Sequence, residues 1–161
     1  MTALITSGTR VRPEWIDYNG HLMDGYYFVA FSDATEAVLA ALGFGRVYRE
    51  RTGSTIYTVE GHLTFRREVG LDTVLSVATQ VVDHDAKRIH VVHDMTDAAT
   101  GERLATAELM FIHVDQSTGT VVPMPADQAA KVAAMAADHA DLERPPGLGA
   151  RVGMRREAAS G

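Results

Sequence analysis

The sequence predicts an α+β fold: an antiparallel sheet wrapped around one long central helix, with an additional helix towards the C-terminus. Three observations carry that expectation. One segment, 24–42, has apolar residues at helical spacing. Four later segments have the pattern of strands, and short polar turns separate the last three of them. Helix and sheet are therefore segregated along the chain instead of alternating as in a parallel sheet.

Residues 9–15 read as a short strand ending near Pro13, followed by the polar turn Asp17-Tyr18-Asn19-Gly20-His21. The helix at 24–42 puts Tyr27, Phe31, Ala34, Val38 and Ala41 on one face, with Asp24 as its N-cap and Gly43 as its stop. Residues 43–52 form a connector with room for one helical turn. In 54–66 the apolar Tyr57, Val59, Leu63 and Phe65 alternate with polar residues, the period-two pattern of a strand with one buried face. The strand at 71–82 keeps Leu71, Leu75, Val77 and Val81 on one side. The strand at 87–95 does the same with Ile89, Val91 and Met95. Residues 102–114 are more apolar throughout than the other strand segments, as a central strand would be. The turns at 83–86 and 97–101 are short enough for hairpins, so the four strands are expected in hairpin succession. An Ala-rich helix covers 126–142, and 147–161 read as a flexible tail after Pro145-Pro146.

At 161 residues the chain fits one domain over 1–161. A net charge of −6 argues against a nucleic-acid partner, whose phosphates need a basic face. The absence of cysteine removes disulfides, a thiolate nucleophile and Cys-ligated zinc, and points to a cytoplasmic location. No stretch approaches the roughly 20 apolar residues that span a bilayer, so no membrane partner is expected.

The chemistry is concentrated at Trp15-Ile16-Asp17-Tyr18-Asn19-Gly20-His21-Leu22-Met23-Asp24, a loop feeding directly into a helix. Free N–H groups and the positive end of the helix dipole face whatever docks there. The backbone N–H groups of Asp24 and Gly25 are the candidate donors to an oxyanion. Asp17 would activate a water or attack a carbonyl itself, with the imidazole of His21 beside it. The alternative is an Asx-turn with a capping residue and no chemistry.

An Asp three residues before a Gly-His pair, with a Tyr on the helix beyond, resembles the 4-hydroxybenzoyl-CoA thioesterase family of hotdog-fold enzymes; the matching residues are Asp17, Gly20-His21 and Tyr27. Val114-Asp115, Gly119 and Pro123-Met124-Pro125 resemble that family's end of the last strand. Where its members often have two Asn after the His, this chain has Met23 and Asp24. Over about 11–154, the run Val11-Arg12-Pro13-Glu14-Trp15-Ile16-Asp17-Tyr18-Asn19-Gly20-His21 is similar to thioesterases associated with L-carnitine dehydrogenase. So are Tyr57-Thr58-Val59-Glu60 and Leu104-Ala105-Thr106-Ala107-Glu108. The resemblance implies hydrolysis of an acyl-CoA, betainyl-CoA before others, with neutral short, medium or aromatic acyl groups as the alternative. It implies CoA as part of the substrate, with no further cofactor, and a homodimer or dimer of dimers with sites at the interface.

A trimethylammonium acyl group needs aromatic faces. Trp15, Tyr18, Tyr26 and Tyr57 are the candidates, unless they serve only as core or interface. Asn19 belongs to the same substrate-binding set. Glu60, on the polar face of its strand, either shapes the site across the dimer or is simply exposed. Arg66-Arg67 and Lys87-Arg88 suit CoA phosphates, or are solvated strand-end charges. His90 and His93, three apart on a strand, point to opposite faces and cannot chelate one ion, so no metal is expected. Gly43-x-Gly45 lacks the third glycine and the preceding strand of a dinucleotide fingerprint. A hydratase would want Pro where Gly20 stands and its His one place later. A non-catalytic acyl-CoA-binding module would leave Asp17 without a purpose.

Overall fold

The computed structural model describes residues 2–154. Its first strand, β1 (Leu4–Arg10), lies nearer the N-terminus than the 9–15 expected. Pro13 instead opens a 3-10 turn, Pro13–Trp15. A residue with a fixed φ and no N–H suits the first position of a helical turn and cannot donate to a ladder.

The central helix, α1 (Asp24–Ala41), buries Tyr27, Ala30, Phe31, Ala34 and Val38 against the sheet. Met23 is the N-cap, and Asp24, expected there, is the first helical residue. Ala41 is exposed and Leu42 takes its place in the core. The helix closes in a Schellman turn, with Phe44 N–H on the Leu39 carbonyl at 2.8 Å and Gly43 N–H on that of Ala40 at 3.0 Å. A short helix, α2 (Arg46–Thr52), fills the connector.

The remaining elements are β2 (Ser54–Phe65), β3 (Val74–His84), β4 (Arg88–Asp97), β5 (Arg103–Asp115), the two-residue β6 (Thr120–Val121) and α3 (Ala126–Asp138). All pairs are antiparallel, in the order β1-β3-β4-β5-β2, with β6 on β5. The expected hairpin succession holds for β3, β4 and β5 but not for β2, which pairs with β5 at the far edge. The connection after β2 is pinned by Leu22 N–H on the Val69 carbonyl (2.8 Å) and Asp72 N–H on that of Val11 (3.1 Å). Those bonds lead the chain under the loop before α1 and across to β1.

The strict alternation expected in β2 fails at one residue. Its register on β5 shifts between Thr58 and Glu60, leaving Val59 as a bulge. Ile56 faces the core before the bulge, and Gly61 and Leu63 do so after it. Tyr57 and Val59, expected on the buried face, are therefore 44% and 53% exposed. Leu71 likewise precedes β3 and is exposed, whereas Leu75, Val77 and Val81 point inward.

Two histidines of the strands are built into the core. His93 lies fully buried between the hydroxyls of Thr35 (3.0 Å) and Thr79 (2.8 Å), its ring stacked on Phe31. It thereby ties α1 to the sheet. His113 joins α2 to β5 through the Tyr48 hydroxyl at 2.8 Å. Helix α3 ends at Asp138, earlier than expected, and the buried His139 beyond it accepts the Val81 N–H at 3.0 Å.

Of the expected tail, 147–154 lie within the described residues and 155–161 outside them. Gly149 N–H donates to the Glu108 carboxylate at 2.7 Å. Among the described residues no single helix is long and apolar enough to cross a membrane.

Candidate active site

The loop before α1 is a closed hairpin. Ile16 and Leu22 form an antiparallel bridge, Asp17 N–H reaches the His21 carbonyl (2.9 Å) and Gly20 N–H that of Asp17 (3.0 Å). Gly20 sits at φ +84°, a conformation that a side chain rarely tolerates. The base of the hairpin is held by Met23 N–H on the Trp15 carbonyl at 2.9 Å. A turn braced at both ends presents the Asp17 carboxylate in a fixed direction.

That direction is an open cleft of about 880 Å³ between the loop, the head of α1 and the end of β2. Asp17, Tyr18, Asn19, His21 and Asp24 line one side, and Phe65, Arg66, Arg67 and Glu68 the other. The Asp17 carboxylate accepts the Asn19 N–H at 2.8 Å and its side-chain amide at 3.3 Å. Desolvation pushes its pKa up, but the Asn19 donors, the His21 backbone and the His21 charge together hold it below the usual carboxylate value. It is thus kept ionised, with lone pairs free for a second partner. His21 Nε2 stands 3.4 Å from Glu68. Buried Tyr27 closes the floor, its hydroxyl on the Arg67 carbonyl (3.1 Å) and its ring edge-on to Phe65 at 5.0 Å.

At the head of α1 the two expected backbone donors differ. Gly25 N–H is taken by the Asp24 carboxylate at 2.8 Å, so it is not free for an oxyanion. Asp24 N–H has no partner among the described residues and belongs to a residue of the cleft wall.

Seven expected site residues thus meet in one cleft: Asp17, Tyr18, Asn19, His21, Asp24, Arg66 and Arg67. Others do not join them within the chain. Trp15 is buried, stacked on Tyr26 at 5.2 Å with the Arg12 guanidinium over its ring. Tyr57 lies on β2 with its hydroxyl accepting from Gln116, so Trp15, Tyr18 and Tyr57 form no cage. Glu60 lines a separate hollow with His62, His90 and Glu108. Arg88 is locked to Asp85 at 2.6 Å in the β3–β4 turn, and Lys87 belongs to the same turn. Phe65 and Glu68 were not expected at the site. Phe65 reads as core in a strand pattern, and Glu68 carries no motif at all.

A profile of the thioesterase-like superfamily matches residues 11–132. The chain is 38% identical over 151 residues to a betainyl-CoA thioesterase of Pseudomonas aeruginosa, covering 94% of this chain and 95% of that protein. It is 40% identical to an L-carnitine dehydrogenase/betainyl-CoA thioesterase of Rhizobium meliloti, covering 92% of this chain but 30% of that longer protein. Among solved structures, a Staphylococcus aureus protein in complex with CoA superposes with a TM-score of 0.87 at 26% identity, over 96% of this chain and 98% of its own. A candidate thioesterase of Pseudomonas putida gives 0.82 at 32%, over 97% and 99%.

Proposed function

Because the chain belongs to the thioesterase-like superfamily and is an acyl-CoA thioesterase of hotdog fold, we propose that its substrate is betainyl-CoA, released as glycine betaine and CoA, with Asp17 as the catalytic carboxylate. The observation that carries the reading is that the Asp17 carboxylate and the Asp24 N–H, unpartnered among the described residues, face one cleft at the head of α1. The thioester oxygen docks at Asp24 N–H, where the dipole of an 18-residue helix adds to the polarisation of the carbonyl. Asp17 then takes a proton from a water that attacks the carbonyl carbon, or attacks it directly to give an anhydride that water opens. On either route the C–S bond breaks and the thiolate leaves with CoA. Asn19 holds Asp17 in place, and Arg66 serves the phosphates.

Betainyl-CoA is supported by full-length similarity to a betainyl-CoA thioesterase and by the carboxylates of Asp24 and Glu68 in the cleft. The quaternary nitrogen lies two bonds from the carbonyl carbon. It must therefore sit beside the oxyanion donor, on the residue that also bears the Asp24 carboxylate. The rings of Tyr18 and Phe65 supply the aromatic faces within the same cleft. The enzyme acts as a homodimer or dimer of dimers: β2 is an edge strand whose residues 57–61 are exposed, Tyr57 and Val59 among them. Pairing along it covers that edge and closes the cleft.

The test compares kcat/KM for betainyl-CoA and for 3,3-dimethylbutyryl-CoA, its uncharged isostere. One cation–carboxylate or cation–π contact of about 0.5–2 kcal/mol predicts a preference of roughly two- to thirtyfold for the charged ester per contact. Equal values, or a preference for the neutral ester, refute betainyl-CoA as the substrate and leave the thioesterase activity standing.

A further inference from the structure

Three arginines among the described residues are paired with carboxylates, and Arg66 is not one of them. Arg67 is paired with Glu102 (2.8 Å), Arg88 with Asp85 (2.6 Å) and Arg103 with Asp94 (2.8 Å), so their charges are met by carboxylates. Arg66, in the wall of the cleft, has no carboxylate within ion-pair distance among the described residues. It is held instead by a neutral group, its Nη2 donating to the Pro146 carbonyl at 2.6 Å. A carbonyl fixes a guanidinium without cancelling its charge. One donor is used to set the direction, and the remaining N–H groups keep a full positive charge for an anion.

The carbonyl is itself held on both sides. Upstream, Gln80 donates to the Glu143 carbonyl (2.9 Å) and accepts from Arg144 (2.8 Å), which fastens the chain to β3. Downstream, Gly149 N–H reaches Glu108 on β5 (2.7 Å), and the other oxygen of that carboxylate meets His90 at 2.7 Å. Between these anchors stand Pro145 and Pro146, whose rings restrict the backbone. Residues 143–149 thus cross the face of the sheet opposite α1, and at their middle they grip a side chain of the cleft.

We propose that residues 143–149 are a positioning strap that pre-orients Arg66 for the phosphates of CoA. The proposal rests on the reading that the cleft takes acyl-CoA. An unheld surface arginine loses its rotamer freedom on binding, whereas one already ordered by the strap does not. The strap therefore acts on affinity for the nucleotide end of the ligand and not on the chemical step.

The experiment measures Kd for CoA and for pantetheine, which lacks the phosphates, by calorimetry on the full chain. It uses the wild type, Gly149→Pro, Arg66→Ala and the double variant. Gly149→Pro removes the N–H that reaches Glu108 and cannot adopt φ +73°, so it frees the strap without altering the cleft. The expected result is a roughly five- to twentyfold weaker Kd for CoA, no change for pantetheine, and no further loss when Gly149→Pro is added to Arg66→Ala. KM for the acyl-CoA should rise in parallel while kcat stays within about twofold. If Gly149→Pro does not fold, Gln80→Leu releases the strap at its other end, removing the donor to the Glu143 carbonyl and the acceptor of Arg144. A loss shared equally by CoA and pantetheine, or additivity with Arg66→Ala, overturns the strap. Its signature in CoA binding, in an enzyme that fails to hydrolyse betainyl-CoA, would sustain the strap and refute only the acyl group.

Discussion

Buried His93 makes the stability of this protein depend on pH between 6.5 and about 4. Burial in the core pushes the imidazole from 6.5 down to about 4. The unfolded chain takes up this proton as pH falls through 6.5, and the native state resists until about 4. The unfolded state therefore binds more protons throughout that interval, and stability must decrease as pH falls across it. From 6.5 to about 4, at about 1.36 kcal/mol per pH decade, the loss reaches about 3 kcal/mol, a sizeable part of the 5–15 kcal/mol typical of a domain. Asp17 and Asp115 are held below 3.8 and Asp85 near about 2, so their contributions fall at lower pH. His139, also lowered by burial, adds to the same window and is separated by difference. Urea unfolding at pH 7, 6, 5 and 4 should show the midpoint falling steadily in the wild type and clearly less in His93→Gln. Equal slopes for the two proteins would refute the assignment. Because His93 ties Thr35 on α1 to Thr79 on β3, the acid transition should loosen the helix whose head forms the cleft.

Two further outcomes concern the catalytic groups. Asp17→Asn keeps an oxygen to accept the Asn19 N–H and should fold normally by circular dichroism, while thiol release falls by about 100-fold or more. Near-normal turnover would show that Asp17 is not the catalytic group. Asp24→Asn preserves both the backbone donor and an acceptor for Gly25 N–H but removes one charge. It should lower kcat/KM for betainyl-CoA about tenfold without lowering that for 3,3-dimethylbutyryl-CoA. An equal loss on both esters would mean that the Asp24 side chain does not read the cation.

The parts of this molecule legible in its sequence are those where local chemistry and tertiary structure agree. Tyr27, Phe31, Ala34 and Val38 recur at helical spacing because one face of α1 meets the sheet, and all four are buried. The loop from Asp17 to His21 is equally local: a left-handed glycine and a side chain that caps its own turn need nothing distant to form. What was missed depends on partners remote in the chain. The bulge at Val59 arises from the match of β2 to β5, so the alternation of apolar residues gave a wrong facing for Tyr57. The destination of β2 itself is set by a connection pinned under the loop at 11–22, not by its own residues.

The aromatic residues do not come together within one chain, for a related reason. Proximity in sequence places Trp15 beside Tyr18, but the 3-10 turn between β1 and the loop swings the indole inward onto Tyr26, leaving Tyr18 97% exposed. The cleft was completed instead by Phe65, Arg66 and Glu68, which arrive from the end of β2. Of these, Arg66 was identified by charge alone. Its distinction from Arg67 and Arg88 emerges only in three dimensions, where those two face carboxylates and Arg66 faces a carbonyl 80 residues away. Sequence shows where positive charge is available. Which of those charges remains free for a phosphate depends on what stands opposite each one after folding.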